Sequence, residues 1–115
     1  MNIEEFRDYC LSLGDDVEEK MPFGAFPHAA AVLAFYVRGH MFAFFDTDSF
    51  RVVTLKCKPE HIEELKEQHS GIGKPHNLSP KHWIGVEPQQ VDAQLLRTLT
   101  RESYEIVKSK YSKKK

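Results

Sequence analysis

Apolar residues keep a helical period at both ends of this 115-residue chain and a strand period in its middle. Ile3, Phe6, Cys10 and Leu13 recur at three- and four-residue spacing, which puts them on one helix face. Asn2 and Glu5 stand in the capping-box relation ahead of that stripe, and Gly14 follows it where a left-handed terminal residue belongs. The spacing predicts a helix over residues 3–13. Met21-Pro22-Phe23-Gly24 and Pro27 then exclude helix, with a weak strand signal over residues 17–21.

From Ala31 to Val37 the β-branched and aromatic content predicts a strand. Arg38-Gly39 turns the chain, His40 to Phe45 returns it, and Asp46-Thr47-Asp48-Ser49 turns it again into a strand from Arg51 to Cys57. Three strands joined by tight turns make an antiparallel meander. In the last of them Val53, Leu55 and Cys57 alternate with Thr54, Lys56 and Lys58, so one face is expected apolar and the other basic. Pro59 opens a second helix, with Glu60, Glu63 and Glu64 near its positive end and only Ile62 and Leu65 as an apolar stripe. Gly71 and Gly73 end it, and Ser70 to Pro80 reads as a loop. Residues 82–86 predict a strand whose alternation puts His82 on the core face with Ile84 and Val86, and Trp83 on the side of Lys56 and Lys58. Asp92 caps a closing helix with Leu95, Leu96, Leu99, Ser103, Ile106 and Val107 on one stripe, and residues 111–115 read as a solvated, frayed basic tail.

This order predicts the α+β class: an antiparallel sheet of about five strands with helices on a single side, arranged helix, three or four strands, helix, one or two strands, helix. Phe6, Leu55, Ile84, Val86, Leu96 and Leu99 are expected to be buried together. With no internal repeat or linker, residues 1–115 read as one domain, long enough to bury a core without staples.

Composition narrows the function classes. The net charge of −1 excludes a whole-molecule attraction to nucleic acid, but its distribution is uneven. Residues 1–20 carry seven acids against Arg7 and Lys20, residues 51–58 carry three cations and no acid, and residues 106–115 carry five lysines and no acid. A local basic face therefore remains open. The densest apolar run, residues 29–37, falls far short of the roughly 20 residues that span a bilayer, so no membrane association is expected. The acidic N-terminus does not fit a signal or transit peptide, and two cysteines without a CxxC spacing fit a reducing compartment; a cytoplasmic protein is expected.

Chemistry-bearing motifs are few. Among six histidines, His61 and His69 lie eight residues apart on a helix, too far for one ion, and His76 and His82 have no acid or cysteine spaced to join them. No metal and no cofactor are expected. There is no GxSxG elbow, Gly71-Ile72-Gly73 lacks the third glycine of a dinucleotide loop, and alternation turns Cys57 away from Lys56 and Lys58 into the core. A non-enzymatic role is expected. The constellation with chemical direction is Lys56, Lys58, Lys74, His76, Lys81, His82 and Trp83: cations that neutralise phosphate beside an aromatic that stacks on a base. The plainer account of the same residues is a solvated sheet face whose tryptophan covers apolar surface.

Leu55-Lys56-Cys57, the Pro59 helix and Asn77-Leu78-Ser79-Pro80-Lys81-His82-Trp83-Ile84 resemble the MmcQ/YjbR family of small bacterial proteins. Met21-Pro22-Phe23-Gly24, and Ser103-Tyr104 followed by Val107, extend the resemblance over nearly the whole chain. The resemblance implies an antiparallel sheet with packed helices, similar to frataxin-like or secretion-chaperone-like domains, and a DNA-binding role without catalytic residues. DNA is thus the first expected partner. A protein or peptide bound on the open sheet face by a chaperone-like domain is the alternative, with the protein itself a monomer or weak dimer.

Overall fold

In the computed structural model, which describes residues 1–27, 30–75 and 78–112, Asn2 caps the first helix. Its side chain accepts the Glu5 N–H at 2.8 Å, while the Glu5 carboxylate accepts the Asn2 N–H at 3.0 Å. This helix, α1, spans Ile3–Ser12 and buries Phe6 and Cys10. Its end differs from the expectation at Gly14. Leu13 closes α1 in a right-handed conformation and Gly14 is not left-handed. The missing side chain of Gly14 instead leaves room for the Tyr104 hydroxyl.

After α1 come β1 (Val17–Lys20), β2 (Val32–Val37), β3 (His40–Asp46) and β4 (Val53–Lys56). Then follow α2 (Pro59–Gln68), β5 (Ile72–Gly73), β6 (Trp83–Val86) and α3 (Ala93–Lys110). The fold is α+β, with one antiparallel sheet in the order β1-β2-β3-β4-β6-β5. It has six strands where about five were expected. The addition is β5, two residues long and too short to carry a period, which pairs Ile72 with Val86 and Gly73 with Gly85.

Turn chemistry explains the meander. Val37 pairs with His40 across Arg38 and Gly39, whose φ values of 55° and 80° give the left-handed pair that a two-residue hairpin needs. At the next turn Asp46 accepts the Asp48 N–H through its side chain and the Phe50 N–H through its carbonyl, both at 2.8 Å. Phe50 is itself left-handed, with φ of 45°. A non-glycine residue holds that conformation only when its surroundings impose it. Here its ring lies buried against Phe45 and Phe6 at 5.0 and 6.1 Å.

α1 and α3 cover one face of the sheet, and Phe6, Leu55, Ile84, Val86, Leu96 and Leu99 share the core as expected. α2 buries only Ile62, as its narrow stripe predicted. Cys10 and Cys57 are buried free thiols; burial pushes both upward, Cys57 to about 11, which leaves neither disposed to act as a nucleophile. Tyr111 departs from the frayed tail: its ring stacks on His40 at 3.4 Å, while residues 113–115 lie outside the described residues. Among the described residues no helix is long and apolar enough to cross a membrane.

Asp16 ties the α1–β1 connection to α3. Tyr104 Oη donates to its carboxylate at 2.7 Å and Lys108 Nζ lies 3.0 Å from it. The Tyr104 hydrogen bond first, then that of Lys108, holds the Asp16 carboxyl below its ordinary 3.8. A depressed carboxyl stabilises the fold above its unfolded pKa and loses that contribution as pH falls through the folded one. In urea denaturation the stability gap between wild type and Asp16→Asn should therefore be full near neutrality and close below about pH 3.8. A gap that does not change with pH would remove the charge from the account.

Candidate functional site

The sheet face away from α1 and α3 carries the candidate residues. The pairing of Lys56 with Trp83 sends both side chains to this face, with Lys56 Nζ 5.2 Å from the centre of the indole ring. Tyr36 stands on the same face of β2, with Lys20 Nζ 4.9 Å over its ring. Between them the β2–β3 register shifts after Phe35: Phe35 pairs with Ala43 and Tyr36 with Met41, which leaves Phe42 as the extra residue. Phe42 and Ala43 are consequently both buried, and Met41 remains on the outer face.

That bulge is closed from the other side of the sheet. The Ser103 hydroxyl of α3 donates to the Phe42 carbonyl at 2.5 Å and accepts the Lys56 N–H at 2.8 Å. One buried hydroxyl thus replaces a rung of the β3–β4 ladder and fixes the backbone that presents Lys56. Burial, and after it the nearby positive charge of Lys110, lowers the Lys56 ammonium below its ordinary value. Among the described residues Lys56, Lys58 and Lys110 enter no ion pair. The three lysines crowd this end of the sheet without a direct ion pair, although Glu60 and Glu102 act on Cys57 between Lys56 and Lys58.

The remaining sequence candidates are less gathered. Lys58 is exposed at the N-cap of α2, beyond the end of β4. Lys81 and His82 are exposed in the turn before β6. His82 therefore does not share the core face with Ile84 and Val86: the strand starts at Trp83, and the His82 carbonyl accepts the Cys57 N–H at 2.9 Å before the side-chain alternation begins. His76 lies outside the described residues. Lys74 lines a separate feature.

That feature is a groove of about 760 Å³. It corrects the expectation of a bare basic face. Thr54, placed by alternation on that face, is nearly fully buried, because two loops flank the sheet there. Phe23, from the segment after β1, and Pro75 and Leu78, from the segment after β5, line it together with Val32, Phe44 and Thr54 of the sheet. A Cβ on Gly85 would collide with the Lys74 carbonyl, so this glycine is what lets the second loop lie against the sheet. Sequence reasoning missed Arg51 and Phe44 as groove residues. The available signal was the apolar character of both faces of β2 and β3, which a sheet open to water on one side does not need. Among the described residues no three His, Cys, Asp or Glu side chains gather to hold a metal ion.

Fold and surface together define a small α+β protein with one helix-covered sheet face and one open face bearing aromatic residues, cations and a groove. The chain belongs to the YjbR family, whose model matches residues 11–106. It is similar to the Deinococcus radiodurans protein DR2400, which carries the family-model domain DUF419: identity is 31%, the TM-score is 0.84, and the match covers 98% of this chain and 83% of that one. A Pseudomonas syringae protein has the same fold at 22% identity and a TM-score of 0.77, over 93% of this chain and 99% of that one. No curated protein matches the chain.

Proposed function

We propose that this protein is a non-enzymatic binder of single-stranded nucleic acid, DNA in the first instance, that uses the outer sheet face at Tyr36, Lys56 and Trp83. The observation that carries this reading is the Lys56–Trp83 pair: a partly exposed indole with an unneutralised ammonium 5.2 Å away. An aromatic face stacks on any base, and the cation beside it neutralises the neighbouring phosphate. Tyr36 offers a second ring on β2, with Lys20 Nζ 4.9 Å over it, although Glu18 already pairs with that ammonium at 3.6 Å. Duplex DNA offers no exposed base face to these rings, so single strands suit the surface better.

Trp83 is the sole tryptophan, so its fluorescence reports the site directly. Titration with a short oligodeoxynucleotide should quench it, with an affinity that falls steeply as salt rises. Reversing Lys56, Lys58 and Lys81 to Glu should weaken binding across sequences, and the log–log salt slope should flatten by about 0.7 for each phosphate no longer neutralised. Trp83→Ala, followed by anisotropy of a labelled oligonucleotide, should cost about 1–3 kcal/mol per stacked base on single strands and much less on duplex. Absence of binding to any oligonucleotide at ~50 mM salt, where phosphate contacts are strongest, overturns the reading. The face would then fall to a protein or peptide partner, whose apolar docking does not weaken with salt.

A further inference from the structure

We infer that the groove on the open face is a second binding site, one that takes a small amphipathic anion: an apolar body of one or two rings ending in a single carboxylate or sulfonate. This inference does not rest on nucleic-acid binding. The groove lies farther along the strands than the Lys56–Trp83 pair, over Thr54, whose pairing with Gly85 is two rungs along the β4–β6 ladder.

Three observations support it. The first is shape. A volume of about 760 Å³ falls within the roughly 300–1,000 Å³ usual for small-molecule sites. The hollow is built in, since Gly85 sets how closely the Lys74 segment approaches the sheet and so fixes that wall. The second is the lining. Phe23 and Leu78, from the segments after β1 and β5, line it together with Val32 and Phe44, which makes the interior mainly apolar. Water there has few partners, and a ring that displaces it gains the burial of both surfaces.

The third is charge. Arg51 and Lys74 are exposed lining residues, and neither forms an ion pair among the described residues. The single carboxylate in the lining, Asp46, is already engaged by the Asp48 N–H at 2.8 Å. The groove thus holds a surplus of one positive charge beside an apolar interior. A monoanion balances it, and a neutral hydrocarbon leaves it unanswered. A dianion would meet Asp46 with its second charge.

The test compares two probes that share their rings: 8-anilinonaphthalene-1-sulfonate and the neutral N-phenyl-1-naphthylamine, both followed by fluorescence enhancement. Wild-type protein should bind the sulfonate at one saturable site and more tightly than the amine. The double variant Arg51→Glu/Lys74→Glu, with an unchanged denaturation midpoint, should bind the sulfonate about tenfold more weakly or worse and the amine as before. Leu78→Trp, which fills the groove, should lose both. Because Leu78→Trp can fail to fold, methyl NMR of the wild type supplies an independent reading. Shifts on adding the sulfonate should be confined to Val32, Met41, Val52 and Leu78. Equal sulfonate affinity in wild type and double variant, or methyl shifts centred on the α1–α3 side, overturns the inference. Trp83→Ala should leave sulfonate binding intact, so failure of the oligonucleotide experiment and failure of this one are separate results.

Discussion

Phe6→Ala is expected to lower stability by about 3–5 kcal/mol, the range for a large aromatic removed from a packed core. Phe6 has no exposed surface and is the point at which α1 enters the sheet. Its ring meets Phe45 at 5.6 Å and Phe35 at 6.4 Å, both edge-on, and Phe50 at 6.1 Å. Edge-to-face pairs contribute beyond their area, about 0.5–1.5 kcal/mol each. The loss should lie towards the upper end of its range, because hydrogen-bonded strands on one side cannot collapse into the void. Phe50 makes it larger still: its left-handed backbone is held by the ring packing that Phe6 completes. For a native state worth some 5–15 kcal/mol, such a change lowers the melting temperature by roughly 10–20 °C. Chemical denaturation measures it, and a loss below about 1 kcal/mol would mean that α1 is not docked where these rings put it.

Ser103→Ala should cost about 2–5 kcal/mol although it removes one oxygen atom. The hydroxyl serves two backbone groups at once, the Phe42 carbonyl and the Lys56 N–H, and the β3 bulge has taken away their partners in the ladder. Each buried polar group left unsatisfied costs about 1–3 kcal/mol, and neither can reach the other across the extra residue. The same variant should affect the site. Lys56 and Trp83 are cross-strand partners, so loosening β4 at Lys56 should shift Trp83 emission at denaturant concentrations below the global transition. A loss under about half a kcal/mol with unchanged Trp83 emission would show that water replaces the hydroxyl. In the sequence Ser103 was legible as a member of an apolar helix stripe and as part of the family resemblance, and neither says what its hydroxyl does. Its purpose is visible only beside the bulge.

That contrast recurs through the molecule. Periodicity and end chemistry determined the elements: the Asn2 and Asp92 caps, the Pro59 start, the Arg38-Gly39 hairpin and the core face of Leu55, Ile84 and Val86 all follow from residues close in sequence. Such signals are local, since a cap, a turn or an alternation acts within a few residues of itself. The approach of Trp83 to Lys56 was also legible, because alternation fixes which face a side chain takes once two strands are neighbours. What lay beyond local reach is what required distant segments to meet. The position of Thr54 beneath two loops, the joining of Arg51 and Lys74 at one groove, and the insertion of Ser103 into the β3–β4 ladder each depend on residues far apart in the chain. The same holds for Gly14, which local rules read as a helix stop and which the fold uses as space for Tyr104. Chain packing set those meetings, and no period in the sequence encodes where two loops come to rest on a sheet.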